Sequence, residues 1–65
     1  MVECTIREYG RAISQPWAEK RIMESGRTQT IEWTVMGRKV AECVKTYLRG
    51  KATVFYYCDK EYKNG

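Results

Sequence analysis

The feature that most constrains this chain is an alternating run of side chains between Thr28 and Met36. In an extended conformation the run has two faces: Ile31, Trp33 and Val35 on one, and Thr30, Glu32, Thr34 and Met36 on the other. Period-two alternation among β-branched and aromatic residues is typical of a half-buried strand. The sequence therefore predicts a strand over this run.

Two further segments carry the same pattern. Residues 2–9 alternate, with Val2, Cys4 and Ile6 on the apolar face, and they predict a first strand. Residues 52–58 are rich in Val, Phe and Tyr and predict the last strand.

The period changes to that of a helix after Gly37. Val40, Val44 and Leu48 are spaced four residues apart, and Gly50 provides a stop. The sequence predicts the main helix over 38–49. Its apolar stripe is expected to pack against the following strand residues: Ile6, Ile31, Trp33 and Val35.

Residues 11–26 allow two interpretations. As a helix over 15–25, the segment has Ser14 as N-cap, Pro16 in the first turn and Gly26 at its end. As a hairpin, it has Ser25 and Gly26 as the two-residue loop that leads into the strand at Thr28. The helix is favoured, and the hairpin remains the alternative.

Together these segments predict an α+β fold. A small three- or four-stranded, mostly antiparallel sheet is expected, with helix 38–49 packed on one face and a short second helix over 15–25. The 65 residues suffice for a single domain, 1–65, in which the polar residues 60–65 form a frayed tail.

Composition argues against an enzyme. The chain has no histidine, and the isolated glycines Gly10, Gly26, Gly37 and Gly50 form no phosphate-binding loop. Its three cysteines, Cys4, Cys43 and Cys58, are too few for a structural zinc site and odd in number for a disulfide framework. We therefore expect no catalysis, no cofactor, no metal and no disulfide.

The N-terminus lacks the basic start and apolar core of a secretory signal, and no apolar run approaches the roughly 20 residues needed to span a bilayer. These features predict a cytoplasmic protein with no membrane partner.

The last strand carries aromatic side chains on both faces. Phe55 and Tyr57 point away from Val54 and Tyr56, so one pair must face away from the helix. The sequence predicts an interface here, with these members: Phe55, Tyr57, Tyr9, Arg7 and Arg11. The alternative is that residues 11–26 cover this face as a lid.

The predicted helix and its exit are basic. Lys and Arg number 12 against 8 Asp and Glu, which gives a net charge of +4. The candidate phosphate-binding patch consists of Arg38, Lys39, Lys45, Arg49 and Lys51. The alternative is an ordinary solvated surface.

These observations favour a small non-catalytic binding protein that inhibits or adapts a larger macromolecular partner by protein–protein contact, or that forms a homodimer. In size and layout the chain resembles small virus-encoded proteins that block host machinery, which implies a host-directed inhibitor acting in the host cytoplasm. The alternative is a nucleic-acid-binding module that uses the basic helix and the aromatic sheet face.

Overall fold

A computed structural model describes residues 1–63 as a five-stranded antiparallel sheet with one short helix. The elements in chain order are β1 (Val2–Glu3), α1 (Ile6–Ile13), β2 (Glu19–Ser25), β3 (Thr28–Val35), β4 (Arg38–Leu48), β5 (Lys51–Cys58) and a 3-10 turn (Lys60–Tyr62). The strand order is β1-β5-β4-β3-β2. Strands β2 to β5 therefore form a continuous meander, and β1 pairs with the outer side of β5.

Three two-residue turns build the meander. Met36 and Gly37 both have positive φ, at 53° and 81°, as do Arg49 and Gly50 at 53° and 76°. Two consecutive positive φ values define the type I′ turn, whose twist matches that of the strands it joins. Gly26, with φ of 59°, opens the turn between β2 and β3.

The helix predicted over 38–49 is wrong, because these residues form β4. A spacing of four residues is even, so Val44 and Leu48 share one face of a strand as readily as one face of a helix. The tight turns at Gly37 and Gly50 hold β4 between β3 and β5, where its backbone groups are paired on both sides.

The helix predicted over 15–25 is also wrong. Residues 19–25 form β2, paired with β3 from Glu19↔Thr34 to Ser25↔Thr28. The hairpin alternative describes this segment, with a loop of Gly26 and Arg27 that is one residue later than expected.

The strand predicted over 2–9 ends at Glu3, and α1 begins at Ile6. The Thr5 hydroxyl accepts from the Glu8 N–H at 3.1 Å, and the Glu8 carboxylate accepts from the Thr5 N–H at 2.8 Å. This reciprocal capping box satisfies two backbone donors at the start of the helix and overrides the alternation.

The fold is thus mostly sheet, with one helix near its N-terminus and not at 38–49. Helix α1 lies on β4 and β5 and closes a small core of Cys4, Tyr9, Ala12, Val40, Ala41, Cys43 and Cys58. Ile31, Trp33 and Val35 pack against this core, but the helix stripe that was expected to cover them does not form, and Val40 is its only member in the core. Leu48 is 58% exposed and Ile6 is also exposed, so neither belongs to the core.

The register of β3 and β4 shifts at Trp33 and Thr34, which pair with Ala41 and Lys39. The residue between them, Val40, is the extra residue of a β-bulge and is buried. The bulge therefore adds a valine to the core.

The last described residues return to the start of the chain. Tyr62 packs against the core, and its carbonyl accepts from Arg11 Nη1 at 3.3 Å. Lys63 Nζ donates to the Glu3 carbonyl at 3.0 Å. The expected frayed tail, 60–65, thus begins with a 3-10 turn, and residues 64 and 65 lie outside the described residues.

Candidate functional site

The candidate site is the face of the sheet opposite α1, called here the open face. Register places four side chains in one row across four strands: Phe55, Val44, Thr30 and Met23. Phe55 is 42% exposed, while α1 packs on the other face. Phe55 and Tyr57 therefore face away from the helix, as alternation predicted, although the helix is a different one.

The predicted lid over this face is absent from the described chain. Ile22 shares the helix side of the sheet with Ile31, directly opposite it. Trp17, the largest side chain of the expected lid, is 78% exposed. Among residues 1–63 the open face is an unoccupied surface.

A charged cluster lies beside the apolar row, and its members are paired with one another. Lys39 Nζ lies 2.8 Å from Glu32 Oε2 and 3.1 Å from Glu42 Oε1. The hydrogen bonds from these carboxylates raise the pKa of Lys39, and Lys39 lowers the pKa of Glu32. Lys39 is thus neutralised locally and is a poor candidate for a phosphate contact.

The expected interface set is divided between the two faces. Tyr9 lies on the buried side of α1, where its hydroxyl accepts from Trp33 Nε1 at 2.7 Å and its ring lies 4.9 Å from that of Tyr56. Arg7 and Arg11 lie on α1. The structure therefore does not bring these three residues together with Phe55 and Tyr57.

The expected basic patch is also divided. Arg38 binds Asp59 and Glu61, which raise the pKa of its guanidinium, and Arg38 in turn lowers the pKa of Asp59. Arg38 and Arg49 lie at opposite ends of β4, separated by about 35 Å at the rise of an extended strand. One phosphate-binding surface cannot include both ends.

A smaller cluster remains at the end of the sheet that carries the β2–β3 and β4–β5 turns. We call it the distal basic end; its cations are Arg27, Lys45, Arg49 and Lys51. Arg27 belongs to it because its carbonyl accepts from the Tyr47 N–H at 3.0 Å.

The cations of the distal basic end make no salt bridge within residues 1–63, unlike Arg38 and Lys39. The neighbouring carboxylate, Glu24, accepts a hydrogen bond from Gln29 at 3.1 Å. Four cations and one carboxylate give this end a charge of +3, most of the net +4 of the chain.

Sequence reasoning missed a second apolar surface. Met36 is 93% exposed, and it lines a pocket of about 340 Å³ with Trp17 and Glu19. The signal was the glycine at 37, which places Met36 at the exposed tip of a hairpin.

The three cysteines are free and buried, and Cys58, which ends β5, is fully enclosed. Burial, together with a hydrogen bond to Cys58, raises the pKa of Cys4 to about 12. Burial also raises the pKa of Cys43. A neutral, enclosed thiol is a poor nucleophile and a poor metal ligand.

The part of the chain that the structure describes contains no group of three or more Cys, Asp or Glu side chains arranged to hold a metal ion. Within the same residues, no helix has the length and apolar character needed to cross a membrane. Comparison of the chain with protein families, curated proteins and solved structures finds no match.

Proposed function

We propose that this chain is a non-catalytic binding protein that docks on a larger protein through its open face. The observation that supports this proposal is the row that runs from Phe55 on β5 through Val44 to Met23 on β2, across the face of the sheet opposite α1. A half-exposed phenylalanine beside Val44 and Tyr57 has the composition of an interface centre.

The surroundings of this row suit the same role. Hydroxyl side chains from Thr53 and Thr46 lie on one side of Phe55, and the ion-paired Glu42 lies on the other. A polar rim around an apolar centre excludes water from the contact and adds little energy of its own. Binding energy should therefore concentrate at Phe55 and Tyr57.

Such a protein acts by remaining bound to its target, as an inhibitor or an adaptor. It is therefore needed in stoichiometric amounts. We propose that it acts in the cytoplasm, and in the host cytoplasm if the chain is viral. Three free, buried thiols suit a reducing compartment, where disulfides are rare.

The test is paired substitution, Phe55→Ser with Tyr57→Ser, in a tagged chain used to capture proteins from lysate. Loss of an aromatic centre costs 2 kcal/mol or more, so affinity for a captured partner should fall by about thirtyfold. Tyr47→Ser is the matched control, because Tyr47 is an exposed aromatic on the other face of β4.

The proposal is supported if the parent chain and Tyr47→Ser capture the same partner and the paired Phe55→Ser, Tyr57→Ser variant does not. Circular dichroism must show that the variant is folded. If the parent, the control and the paired variant capture the partner equally, the proposed role of the open face is contradicted.

The unpaired cations of the distal basic end favour a second candidate, a nucleic-acid-binding module. Phosphate contacts make the binding constant fall steeply as the salt concentration rises. On single strands the slope of log K against log salt concentration is about −0.7 for each contact. Arg49→Ala with Lys51→Ala should reduce the salt dependence of single-stranded DNA binding. Arg38→Ala, which removes a cation already paired with carboxylates, should leave it unchanged. No binding at low salt would dismiss this candidate.

A further inference from the structure

Strand β2 is the last strand of the sheet, and its outer side is unpaired within residues 1–63. Its closing pair at the turn, Ser25↔Thr28, spans a two-residue loop and is therefore a hydrogen-bonded pair. Hydrogen-bonded and non-hydrogen-bonded pairs alternate along an antiparallel ladder. Lys20, Ile22 and Glu24 consequently direct their N–H and C=O groups outward.

An apolar row on the helix side of the sheet ends at this edge. Register places four side chains directly opposite one another: Tyr56, Cys43, Ile31 and Ile22. Cys43 is buried and Ile31 is partly buried, whereas Ile22 is 51% exposed. The row therefore ends at Ile22, which has Ile31 beside it on β3 and no neighbouring strand on its other side within residues 1–63.

We propose that a second copy of this chain pairs with β2 in antiparallel orientation, with the two-fold axis at Ile22. The contact would join two five-stranded sheets into one. The outward groups of Lys20, Ile22 and Glu24 would make about six hydrogen bonds between the copies. The two Ile22 side chains would meet, and the apolar row would continue from Tyr56 of one copy to Tyr56 of the other.

Charge fixes this register. With the axis at Ile22, Lys20 of each copy lies opposite Glu24 of the other, which gives two opposite-charge pairs. An axis at Arg21 or Glu24 sets that charged residue against its own copy. An axis at Lys20 places Glu19 opposite Arg21 but sets the two Lys20 side chains against each other and leaves Ile22 without its counterpart. An axis at Met23 sets Glu24 against Ile22 and pairs no opposite charges.

The other edge is less suited to self-pairing. Within residues 1–63, the outer side of β5 is also unpaired beyond β1, at Ala52 and Val54. An axis at Thr53 would oppose Lys51 and Phe55 and form no ion pair. Charges usually protect edge strands from association. On β2 they are arranged symmetrically about Ile22 with opposite sign, so they favour association with a second copy.

The test is a charge swap followed by sedimentation over a range of concentrations. Lys20→Glu alone sets Glu against Glu, and Glu24→Lys alone sets Lys against Lys. Each change acts at two symmetric positions and should weaken dimerisation at least tenfold. The double variant, Lys20→Glu with Glu24→Lys, should restore it, and an equimolar mixture of the two single variants should form a heterodimer.

Lys51→Glu is the control, because it changes charge by the same amount away from β2 and should leave dimerisation unchanged. Circular dichroism establishes that every variant is folded. A parent chain that stays monomeric at its highest soluble concentration would overturn the proposal, and so would a dimer that all four variants leave intact. These outcomes do not depend on the open face, so the proposed function could fail while this inference stands.

Discussion

Replacement of Tyr9 by Phe tests whether the interior under α1 depends on a polar contact. The Tyr9 hydroxyl accepts the Trp33 Nε1 proton at 2.7 Å, and Tyr9 is buried. Phe keeps the ring and its packing on Tyr56 but leaves the indole N–H without its acceptor. An unsatisfied donor in such a site costs about 1–3 kcal/mol.

For a domain of this size, 1 kcal/mol shifts the melting temperature by about 4–8 °C, so Tyr9→Phe should lower it by at least about 4 °C. Tyr57→Phe is the matched control, because Tyr57 lies on the open face and surface changes usually remain within about 0.5 kcal/mol. Thermal melts followed by circular dichroism compare the three proteins. If both variants melt with the parent, the hydrogen bond does not stabilise the fold and Tyr9 has been assigned the wrong role.

Three further outcomes are expected. Leu48→Ala should cost no more than about 0.5 kcal/mol in urea unfolding, because Leu48 is 58% exposed; a core leucine would cost about 2–5 kcal/mol. Arg49→Asn should stabilise the chain by roughly 0.5–1 kcal/mol, because asparagine tolerates the positive φ at this turn, and an unchanged or lower melting temperature would contradict this. Between about pH 9 and pH 12 the contribution of Cys4 to stability should be lost, by up to about 1.4 kcal/mol per pH unit, because Cys4 ionises in the unfolded chain near 9 but stays protonated in the folded one. Cys4→Ala should make the fall in stability over this range less steep.

Alternation along single strands was readable from the sequence. The strands at 28–35 and 51–58 lie where the pattern predicted them, and Phe55 and Tyr57 lie on the face away from the helix. These assignments hold because period two is a local property of the chain, independent of which element covers the other face.

Residues 38–49 were misassigned because the apolar positions in β4 satisfy both periods. Ala41 and Cys43 face the core although they are small, while Val44 and Leu48 face away from it. The more regular signal was the spacing of Gly26, Gly37 and Gly50, which divides residues 19–58 into strand-length segments.

The grouping of the site residues could not be predicted, because it depends on which strands are neighbours. The spacing pattern assigned Arg38 and Arg49 to one helix, which would place them about 16 Å apart, since each residue adds 1.5 Å. As a strand the same segment separates them by twice that distance. The assignment of one element therefore decided whether a basic patch existed.

The meander also determines how far apart in sequence the contacting residues are. Each of the three tight turns joins two strands that pair from the turn outward. Most strand pairs of the sheet therefore join residues that are close in the sequence. Hairpins of this kind form in about 1–10 μs. The pairing of Val2 with Cys58 and the contact of Arg11 with Tyr62 instead close loops of more than 50 residues. Loop closure of that length has a larger entropic cost, which must be offset by the burial of Tyr9 and Ala12. The hairpins are therefore expected to form first, and the joining of the two ends of the chain over the sheet is expected to limit the rate of folding.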